Sequence, residues 1–258
     1  MVDLHSHVIA AIDDGPSEQE GSLALVRAAA QEGTTVLAAT PHLRADHPHV
    51  HPNELADRCA TLNERISAVG AKIDVVPGGE VDLLWAHEAS DAELRLVSYR
   101  QAGKDLLLET PYGALPPNFE QLLLQIAARG FRILLAHPER NRTLQARPQR
   151  VASLVRRGVL VQVTASSLAL QRRSPVRKLA ASLVSEGLAH VIASDAHHAS
   201  GGRSPGLREG VEVAARLVGG RAEWMVTEAP GAILAGEPLP RPPLPPRARR
   251  GVLRRRFG

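Results

Sequence analysis

Two histidines near the start of the chain have the spacing of a metal-binding pair. They lie in the sequence Asp3-Leu4-His5-Ser6-His7, at the end of a short apolar run. In an extended segment, residues i and i+2 project from the same face, so the two imidazoles can bind one metal ion together. A lone His-x-His pair occurs by chance on many surfaces, so this interpretation depends on what the rest of the chain supplies.

More residues of metal-binding types follow later apolar runs. They are Asp14, His42, Glu80, Glu109, His137, Asp195 and His197. Six of the seven runs described next end in such a residue or are followed by one, and with His5 and His7 these positions hold five of the eleven histidines. Functional residues of βα barrels lie at the carboxyl ends of strands and in the loops that follow. We therefore predict that all nine side chains form one metal centre.

The apolar runs predict buried parallel strands. Each has four to six residues and is nearly continuous in apolar character, as is typical of strands covered on both faces. The predicted strands are Val2–His5, Thr35–Thr40, Ile73–Pro77, Asp105–Glu109, Arg132–Ala136, Val159–Thr164 and Val191–Ser194.

Helical segments that end at a glycine alternate with these strands. The first opens with Ser17-Glu18-Gln19-Glu20, which has the pattern of a capping box, and it stops at Gly33. The others are Asn53–Val69, Asn118–Arg129, Gln149–Arg157 and Pro175–Glu186. Strands and helices in this order predict βα repeats with right-handed crossovers. We expect an α/β fold, a distorted TIM-like (β/α)7 barrel.

The predicted ligands are too many for one ion. A set of imidazoles and carboxylates without thiolates indicates a site for Mn²⁺, Fe²⁺ or Zn²⁺ rather than a structural zinc site. The number of ligands implies two or three ions. The positive charge of three divalent ions exceeds the negative charge of the four carboxylates, so the pocket would attract an anion. A phosphate ester is the obvious candidate, because clustered metals activate water and hold both the attacking and the leaving oxygens.

Two arginines are candidate catalytic residues. Arg140 comes three residues after His137, and Arg203 follows the loop that carries Asp195 and His197. A guanidinium stays charged and binds non-bridging phosphate oxygens in a fork, which suits stabilisation of a transition state.

Seven motifs together resemble the polymerase and histidinol phosphatase (PHP) superfamily. They are Asp3-Leu4-His5-Ser6-His7, Ile12-Asp13-Asp14-Gly15-Pro16, Thr40-Pro41-His42, Gly79-Glu80, Leu108-Glu109, Ala136-His137-Pro138-Glu139-Arg140 and Ser194-Asp195-Ala196-His197. The Asp-Asp-Gly-Pro element, the His-x-Glu-Arg element and the early Glu80 are similar to the bacterial manganese-dependent tyrosine-protein phosphatases of capsular and exopolysaccharide gene clusters. The match runs from Met1 to about Leu234.

The resemblance implies three manganese ions, with iron or zinc as alternatives. His5, His7, Glu80 and Asp195 would hold the first; Glu80, Glu109 and His137 the second; Asp14, His42 and His197 the third. A metal-bridging hydroxide would attack phosphorus directly while Arg140 and Arg203 bind phosphate. The implied substrate is a phosphotyrosine protein, a membrane-bound tyrosine autokinase that controls polysaccharide export.

Two other functions remain open at this point. A PHP phosphatase of a small metabolite such as histidinol phosphate would share the ligands and differ only in the shape of its pocket. A metal-dependent nuclease module is the other alternative, and the basic tail is its only support.

The charge is unevenly distributed along the 258 residues. Seven of the 31 basic residues lie in Pro238–Gly258, which holds no acid, so residues 1–237 carry 24 basic and 27 acidic side chains. An acidic body with 3% aromatic residues argues against nucleic acid as a partner. We expect a phosphatase domain over residues 1–237 and a disordered Pro/Arg-rich tail over 238–258 that could touch an anionic membrane surface.

Other sequence features favour a cytoplasmic protein. No apolar run approaches the ~20 residues that span a bilayer, no signal peptide opens the sequence, and Cys59 is the single cysteine.

Cys59 and Arg65 have the spacing of the loop in cysteine-dependent tyrosine phosphatases, but they lie in a predicted helix and we interpret Cys59 as a packed residue. His87 and His190 are interpreted as structural. The roles of His47, His49, His51 and His198 stay open, although Asp13 or His198 could donate a proton.

Overall fold

The computed structural model describes residues 1–243 and has an α/β fold built on parallel sheets. Its strands are β1 (Val2–Ser6), β2 (Val36–Ala39), β3 (His42–Leu43), β4 (Asp74–Pro77), β5 (Glu80–Val81), β6 (Asp105–Glu109), β7 (Arg132–Ala136), β8 (Leu160–Thr164) and β9 (Val191–Ala193). One sheet has the order β1-β2-β4 and the other the order β3-β5-β6-β7-β8-β9. Every pairing between these strands is parallel.

The prediction of seven strands is wrong in number, because two predicted runs continue past a bend. Thr40 and Pro41 separate β2 from β3, and Gly78 and Gly79 separate β4 from β5. Each short strand after the bend pairs in the second sheet. The sheets also meet where β1 approaches β9, through one isolated bridge between Ser6 and Ala196. These pairings do not establish a closed barrel.

Twelve α-helices surround the sheets in residues 1–243. They are α1 (Gln19–Gln31), α2 (Leu55–Ala68), α3 (Leu83–Glu88), α4 (Asp91–Val97), α5 (Phe119–Ala128), α6 (Arg142–Ala146), α7 (Gln149–Arg156), α8 (Ala165–Ala169), α9 (Pro175–Ser185), α10 (Leu207–Val218), α11 (Arg221–Trp224) and α12 (Glu228–Ala235). The five predicted helices are confirmed as α1, α2, α5, α7 and α9. The glycine after each has a positive φ, as a helix stop requires.

The predicted capping box at the start of α1 is wrong. The helix begins at Gln19, and no side chain caps its first turn. Glu20 instead accepts a hydrogen bond from Arg65 of α2 at 2.5 Å, so its carboxylate is used between helices. The described residues do contain a capping box elsewhere, formed by Ser90 and Glu93 at the start of α4.

One buried cluster takes a side chain from each of seven strands. Its strand members are Leu4, Ala38, Val76, Leu107, Leu134, Ala136, Leu160, Val191 and Ala193. Ile233 and Leu234 of α12 pack against them, and the Tyr99 hydroxyl donates to the Leu4 carbonyl at 2.8 Å. All strands except the two-residue β3 and β5 therefore share one packed interior.

The predicted Pro/Arg-rich tail lies mostly outside the described residues. Residues 244–258 are not described, so their disorder and their contact with a membrane remain predictions. Among residues 1–243, no helix has both the length and the apolar character needed to cross a bilayer.

Candidate metal centre

Glu80 stands at the centre of a cluster of imidazoles. Its Oε2 atom lies 3.3 Å from His5 Nε2, 3.4 Å from His7 Nε2 and 3.1 Å from His42 Nδ1. Its Oε1 atom lies 2.7 Å from His137 Nε2. Both oxygens of this carboxylate therefore contact imidazoles of the site. All five side chains are buried.

Three groups of ligand atoms converge closely enough to hold metal ions. The first group is His5, His7 and Glu80, the second is His42, Glu80 and Glu109, and the third is His7, Asp14, His42 and His197. Within each group the ligand atoms all lie within 4.8 Å of one another. Asp195 adjoins the first group, since its Oδ1 lies 3.4 Å from His5 Nε2 and 3.5 Å from His7 Nε2.

The structure brings all nine predicted ligands together but groups some of them differently. The resemblance implied that Glu109 shares an ion with His137, whereas the converging group pairs Glu109 with His42. His42 can serve two groups because its ring nitrogens face different carboxylates: Nδ1 lies 3.9 Å from Glu109, and Nε2 lies 3.5 Å from Asp14.

Both candidate arginines contact carboxylates of the cluster. Arg140 Nη1 donates to Asp195 Oδ2. Arg203 Nη1 donates to Asp14 Oδ2 at 2.8 Å, and its Nη2 contacts His197 Nε2. Arg140 is about a quarter exposed and Arg203 about two fifths exposed. Each guanidinium therefore binds a carboxylate of the cluster and is also partly exposed to solvent.

Hydrogen bonds on the far side of three rings point their Nε2 atoms into the site. His5 Nδ1 contacts Gln162 Oε1 at 3.2 Å, and His7 Nδ1 contacts Asp13 Oδ2 at 2.8 Å. His197 Nδ1 donates to the Asp195 carbonyl oxygen at 2.9 Å. An acceptor on Nδ1 places the proton there and leaves Nε2 free as a ligand, which is how metal-binding histidines are usually oriented.

The chemistry of this donor set fits bound cations. The Nδ1 atoms of His42 and His137 are buried and form no well-aligned hydrogen bond among the described residues, although His42 Nδ1 lies 3.1 Å from Glu80 Oε2. Burial and the negative charge of Glu80 raise the pKa of Glu109 to about 8. A cation beside Glu109 would offset both effects, because an opposite charge nearby favours the ionised form. The residues present therefore suit divalent metal ions.

Two strained strand ends aim ligands at the site. His137 and Asp195 follow β7 and β9, and they have positive φ values of 35° and 55°. Such a conformation is uncommon for residues other than glycine and often occurs at functional sites. The 3-10 helix Pro138–Arg140 starts directly after His137, and buried Glu139 anchors it by accepting from Thr164 N–H at 2.9 Å. This turn places Arg140 beside Asp195.

The loop after β1 folds back over His7 to place Asp14. Asp13 accepts from the Gly15 N–H at 3.0 Å and the His42 N–H at 3.2 Å, besides contacting His7. A Cβ on Gly15 would lie 2.1 Å from the His7 carbonyl oxygen, so the close approach requires glycine. Burial opposes ionisation of Asp13, but the hydrogen bond from His7 lowers its pKa overall. Asp13 therefore accepts hydrogen bonds from the loop and from the start of β3, and proton donation by Asp13 stays a prediction.

Sequence reasoning missed several residues that contact the ligands. Arg44 follows β3, and its Nη1 donates to both oxygens of Glu109 at 3.1 and 3.2 Å. Gln162, in the middle of β8, contacts His5 and also accepts from the His137 N–H at 3.3 Å. Arg44 lies two residues after His42, so its closeness in sequence to a predicted ligand was a usable signal. Gln162 lies inside a strand, and nothing in the sequence around it indicated a contact with the site.

The remaining histidines lie at the rim or away from the site. The His47 ring stacks on that of His42 at 5.0 Å, whereas His49, His51 and His87 are exposed. His198 is exposed, with its ring 6.4 Å from that of His197. His190 accepts from the Val161 N–H, away from the cluster, as its structural interpretation predicts. Cys59 is buried in α2, which confirms its interpretation as a packed residue.

Comparison with known proteins places this site in a family context. The family model described as capsular polysaccharide synthesis, CpsB/CapC, matches residues 1–235. The tyrosine-protein phosphatase YwqE of Bacillus subtilis (strain 168) is 30% identical over 250 residues, covering 97% of this chain and 98% of that protein. The tyrosine-protein phosphatase CpsB of Streptococcus pneumoniae is 24% identical, covering 91% of this chain and 98% of that protein.

A solved structure extends the similarity to the fold. It comes from crystal structures of YwqE from Bacillus subtilis and CpsB from Streptococcus pneumoniae, described as metal-dependent tyrosine phosphatases. The TM-score is 0.83 at 29% identity, and the alignment covers 95% of this chain and 99% of that one.

Proposed function

Because the chain belongs to the CpsB/CapC family of capsular polysaccharide synthesis, we propose that it is a metal-dependent tyrosine-protein phosphatase, as its relatives are named. The observation that carries the proposal is the convergence of imidazoles and carboxylates on one buried site around Glu80. Such a site suits a phosphate ester, because cations held close together attract an anion.

Nine side chains are the proposed metal ligands. They are His5, His7, Asp14, His42, Glu80, Glu109, His137, Asp195 and His197. Glu80 belongs to two of the three converging groups, so we assign it the bridging position in a three-metal cluster. We propose Mn²⁺ as the metal, and iron or zinc would also suit a set of imidazoles and carboxylates without thiolates. When bound, the ions would supply Lewis acidity and activate the attacking water.

Arg140 and Arg203 are the proposed phosphate-binding residues. Both are held beside the cluster by a carboxylate, and both reach the solvent side from which a substrate arrives. Each can bind non-bridging oxygens of the phosphate and compensate the charge that builds up in the transition state. A phenolate has a conjugate-acid pKa of about 10, so it leaves with less protonation than an alkoxide needs. Direct transfer of the phosphoryl group to water is therefore sufficient, without a covalent enzyme intermediate.

The two sheets support a distorted (β/α)7 barrel as the finer description of the fold. If β2 with β3, and β4 with β5, each count as one bent strand, the order becomes seven parallel strands in sequence. The first and last of these approach each other, since His7 N–H donates to the Ala196 carbonyl at 2.8 Å and Asp195 N–H to the His5 carbonyl at 2.9 Å.

The substrate we propose is a phosphotyrosine protein, specifically a membrane-bound tyrosine autokinase that controls polysaccharide export. The link of the family to capsular polysaccharide synthesis supports this choice. Such a kinase is phosphorylated where ATP is present, so we propose that the protein acts in the cytoplasm. We further propose that residues 1–237 form the phosphatase domain and that the basic tail, residues 238–258, rests on an anionic membrane surface.

Competing substrates provide the test of this function. The chain is stripped of metal, reloaded with Mn²⁺ and assayed on a phosphotyrosine peptide, histidinol phosphate and an oligonucleotide. We expect metal-dependent turnover that is fastest with the peptide. Faster cleavage of histidinol phosphate would contradict the proposal, and preferred cleavage of the oligonucleotide would replace it with a nuclease function.

A further inference from the structure

One aromatic side chain stands exposed at the mouth of the metal centre. Tyr112 lies three residues after Glu109, and its side chain is 57% exposed. Its ring centroid is 6.2 Å from that of His137, with the two ring planes only 27° apart. Within residues 1–243, the other Tyr, Trp and Phe side chains are buried or half-buried. Among the described residues, the single well-exposed Tyr, Trp or Phe ring thus lies beside a predicted ligand.

The backbone on either side of Tyr112 is anchored. Asn141 is buried, and its Nδ2 donates to the Pro111 carbonyl at 2.6 Å and the Gly113 carbonyl at 2.9 Å. The same side chain caps α6, because its Oδ1 accepts from the Thr143 N–H at 2.9 Å. Asn141 therefore ties the tyrosine loop to the start of α6, two residues after Arg140. A loop whose backbone is held in place beforehand loses little freedom when a ligand contacts its side chain.

A groove opens beside this ring. It has a volume of about 450 Å³ and is lined by Tyr112, Gly113, Ala114, Arg142 and Thr143. We call it the Tyr112 groove. Gly113 has no side chain and Ala114 has only a methyl group, which leaves space next to the ring, and the exposed Arg142 also lines the groove. The groove has room for a flat apolar group beside the Tyr112 ring, which itself lies next to His137.

We propose that the Tyr112 groove binds the aromatic ring of the phosphotyrosine substrate and makes the enzyme selective for aryl over alkyl phosphates. The inference rests on the proposed function and names the part of the site that recognises the leaving group. In an aryl phosphate a single oxygen joins phosphorus to the ring, so a phosphate held at the cluster places its ring close to Tyr112. A serine ester places only a methylene group there. Offset aromatic pairs contribute beyond the area that they bury.

Steady-state kinetics with two variants test the groove. Tyr112→Ala should raise the KM for phenyl phosphate and for a phosphotyrosine peptide about tenfold, with kcat little changed, because it removes stacking with the substrate ring. Tyr112→Phe should keep the KM of the parent, since the ring remains. Inorganic phosphate has no ring, so its inhibition constant should be the same in the parent and both variants.

The controls separate this proposal from the function on which it rests. Leu217→Ala removes an exposed hydrophobic side chain elsewhere, and it should leave all these constants unchanged. An unchanged KM in Tyr112→Ala would overturn the subsite, as would a parallel rise in the inhibition constant for phosphate, which indicates a damaged metal centre. A KM in Tyr112→Phe as high as in Tyr112→Ala would also overturn it. If the parent does not hydrolyse the phosphotyrosine peptide, the proposed function itself fails.

Discussion

Glu80 contacts four imidazoles of the site because both of its oxygens are used. The charges of His5 and His137 lower its pKa despite complete burial. A buried carboxylate is tolerated only when it is paired or bound to metal. The charge of this one residue, rather than its size, should therefore determine whether ions assemble in the site.

Glu80→Gln tests this at the scale of one residue. Glutamine keeps the shape but removes the charge and one acceptor oxygen, so we expect fewer bound metal equivalents and turnover lowered by a factor of about a hundred or more. Elemental analysis of the dialysed protein and phosphotyrosine turnover at saturating Mn²⁺ measure the two effects.

Glu88→Gln is the matched control, because Glu88 is an exposed glutamate at the end of α3. It should bind metal and turn over substrate like the parent. Full metal content in Glu80→Gln would show that Glu80 does not bridge the ions.

At the scale of elements, the loop after β1 places Asp14 because Gly15 can touch the backbone of His7. A side chain on Gly15 would collide with the His7 carbonyl, and His7 itself is held because its N–H donates to the Ala196 carbonyl at 2.8 Å. The loop is thus the part of this contact that must move.

Gly15→Ala should displace Asp14 from His42 and His197 and weaken the third metal group. We expect a metal affinity lower by about tenfold or more and a destabilisation of about 1–3 kcal/mol from the forced contact. Titration with Mn²⁺ and urea denaturation measure these two quantities.

Gly113→Ala is the control for a glycine that has open space around it, since no atom lies within 4 Å of the position its Cβ would occupy. It should leave metal affinity unchanged. If Gly15→Ala binds all its metal with the parent's affinity, the close approach does not position Asp14.

The junction between β8 and β9 contains a titratable group away from the metal site. His190 precedes β9, and its Nδ1 accepts from the Val161 N–H at 3.1 Å, which requires a neutral ring. Burial and the positive charge of Arg221 lower the pKa of His190 to about 4. Its ordinary pKa is near 6.5, so the unfolded chain binds a proton at a higher pH than the folded chain does.

The stability that His190 contributes should therefore be present above pH 6.5 and be lost as the pH falls from 6.5 towards 4. The full effect is about 3 kcal/mol. His190→Asn keeps an acceptor for Val161 and cannot titrate, so its free energy of unfolding should fall less steeply over this range. Urea denaturation of the metal-free proteins at several pH values gives the difference. Parallel pH profiles for the two proteins would contradict the assignment.

At the scale of the whole molecule, the metal centre joins distant parts of the chain. Its proposed ligands run from His5 to His197 and follow six different strands or bends. Ions that bind the folded chain but not the unfolded one stabilise it by mass action, about 2.7 kcal/mol when the free ion is at 100 times its dissociation constant.

Removal of metal should lower the melting temperature of the whole domain. For a chain of this size we expect a fall of about 5–10 °C after treatment with a chelator, restored by Mn²⁺. Differential scanning calorimetry measures it, and the Glu80→Gln variant should show a smaller shift. An unchanged melting temperature after complete loss of metal would mean that the ions do not stabilise the fold.

Local patterns in the sequence determined the repeating elements and the types of residue at the site. β6 and β7 have the predicted bounds, and each predicted helix stops at its glycine, because continuous apolar runs and helix stops depend on neighbouring residues. The nine proposed ligands were predicted in the same way, as chemically distinctive side chains after strands.

Tertiary structure alone decided how those ligands are grouped. The two-residue strands β3 and β5 are too short to leave a pattern, yet they carry His42 and Glu80 and set them side by side. Arg44 and Gln162 reach Glu109 and His5 only after the chain has folded, since such contacts join residues 65 and 157 positions apart. A pair of ligands can be recognised by its spacing, but a shared bridging carboxylate depends on distances that only packing establishes.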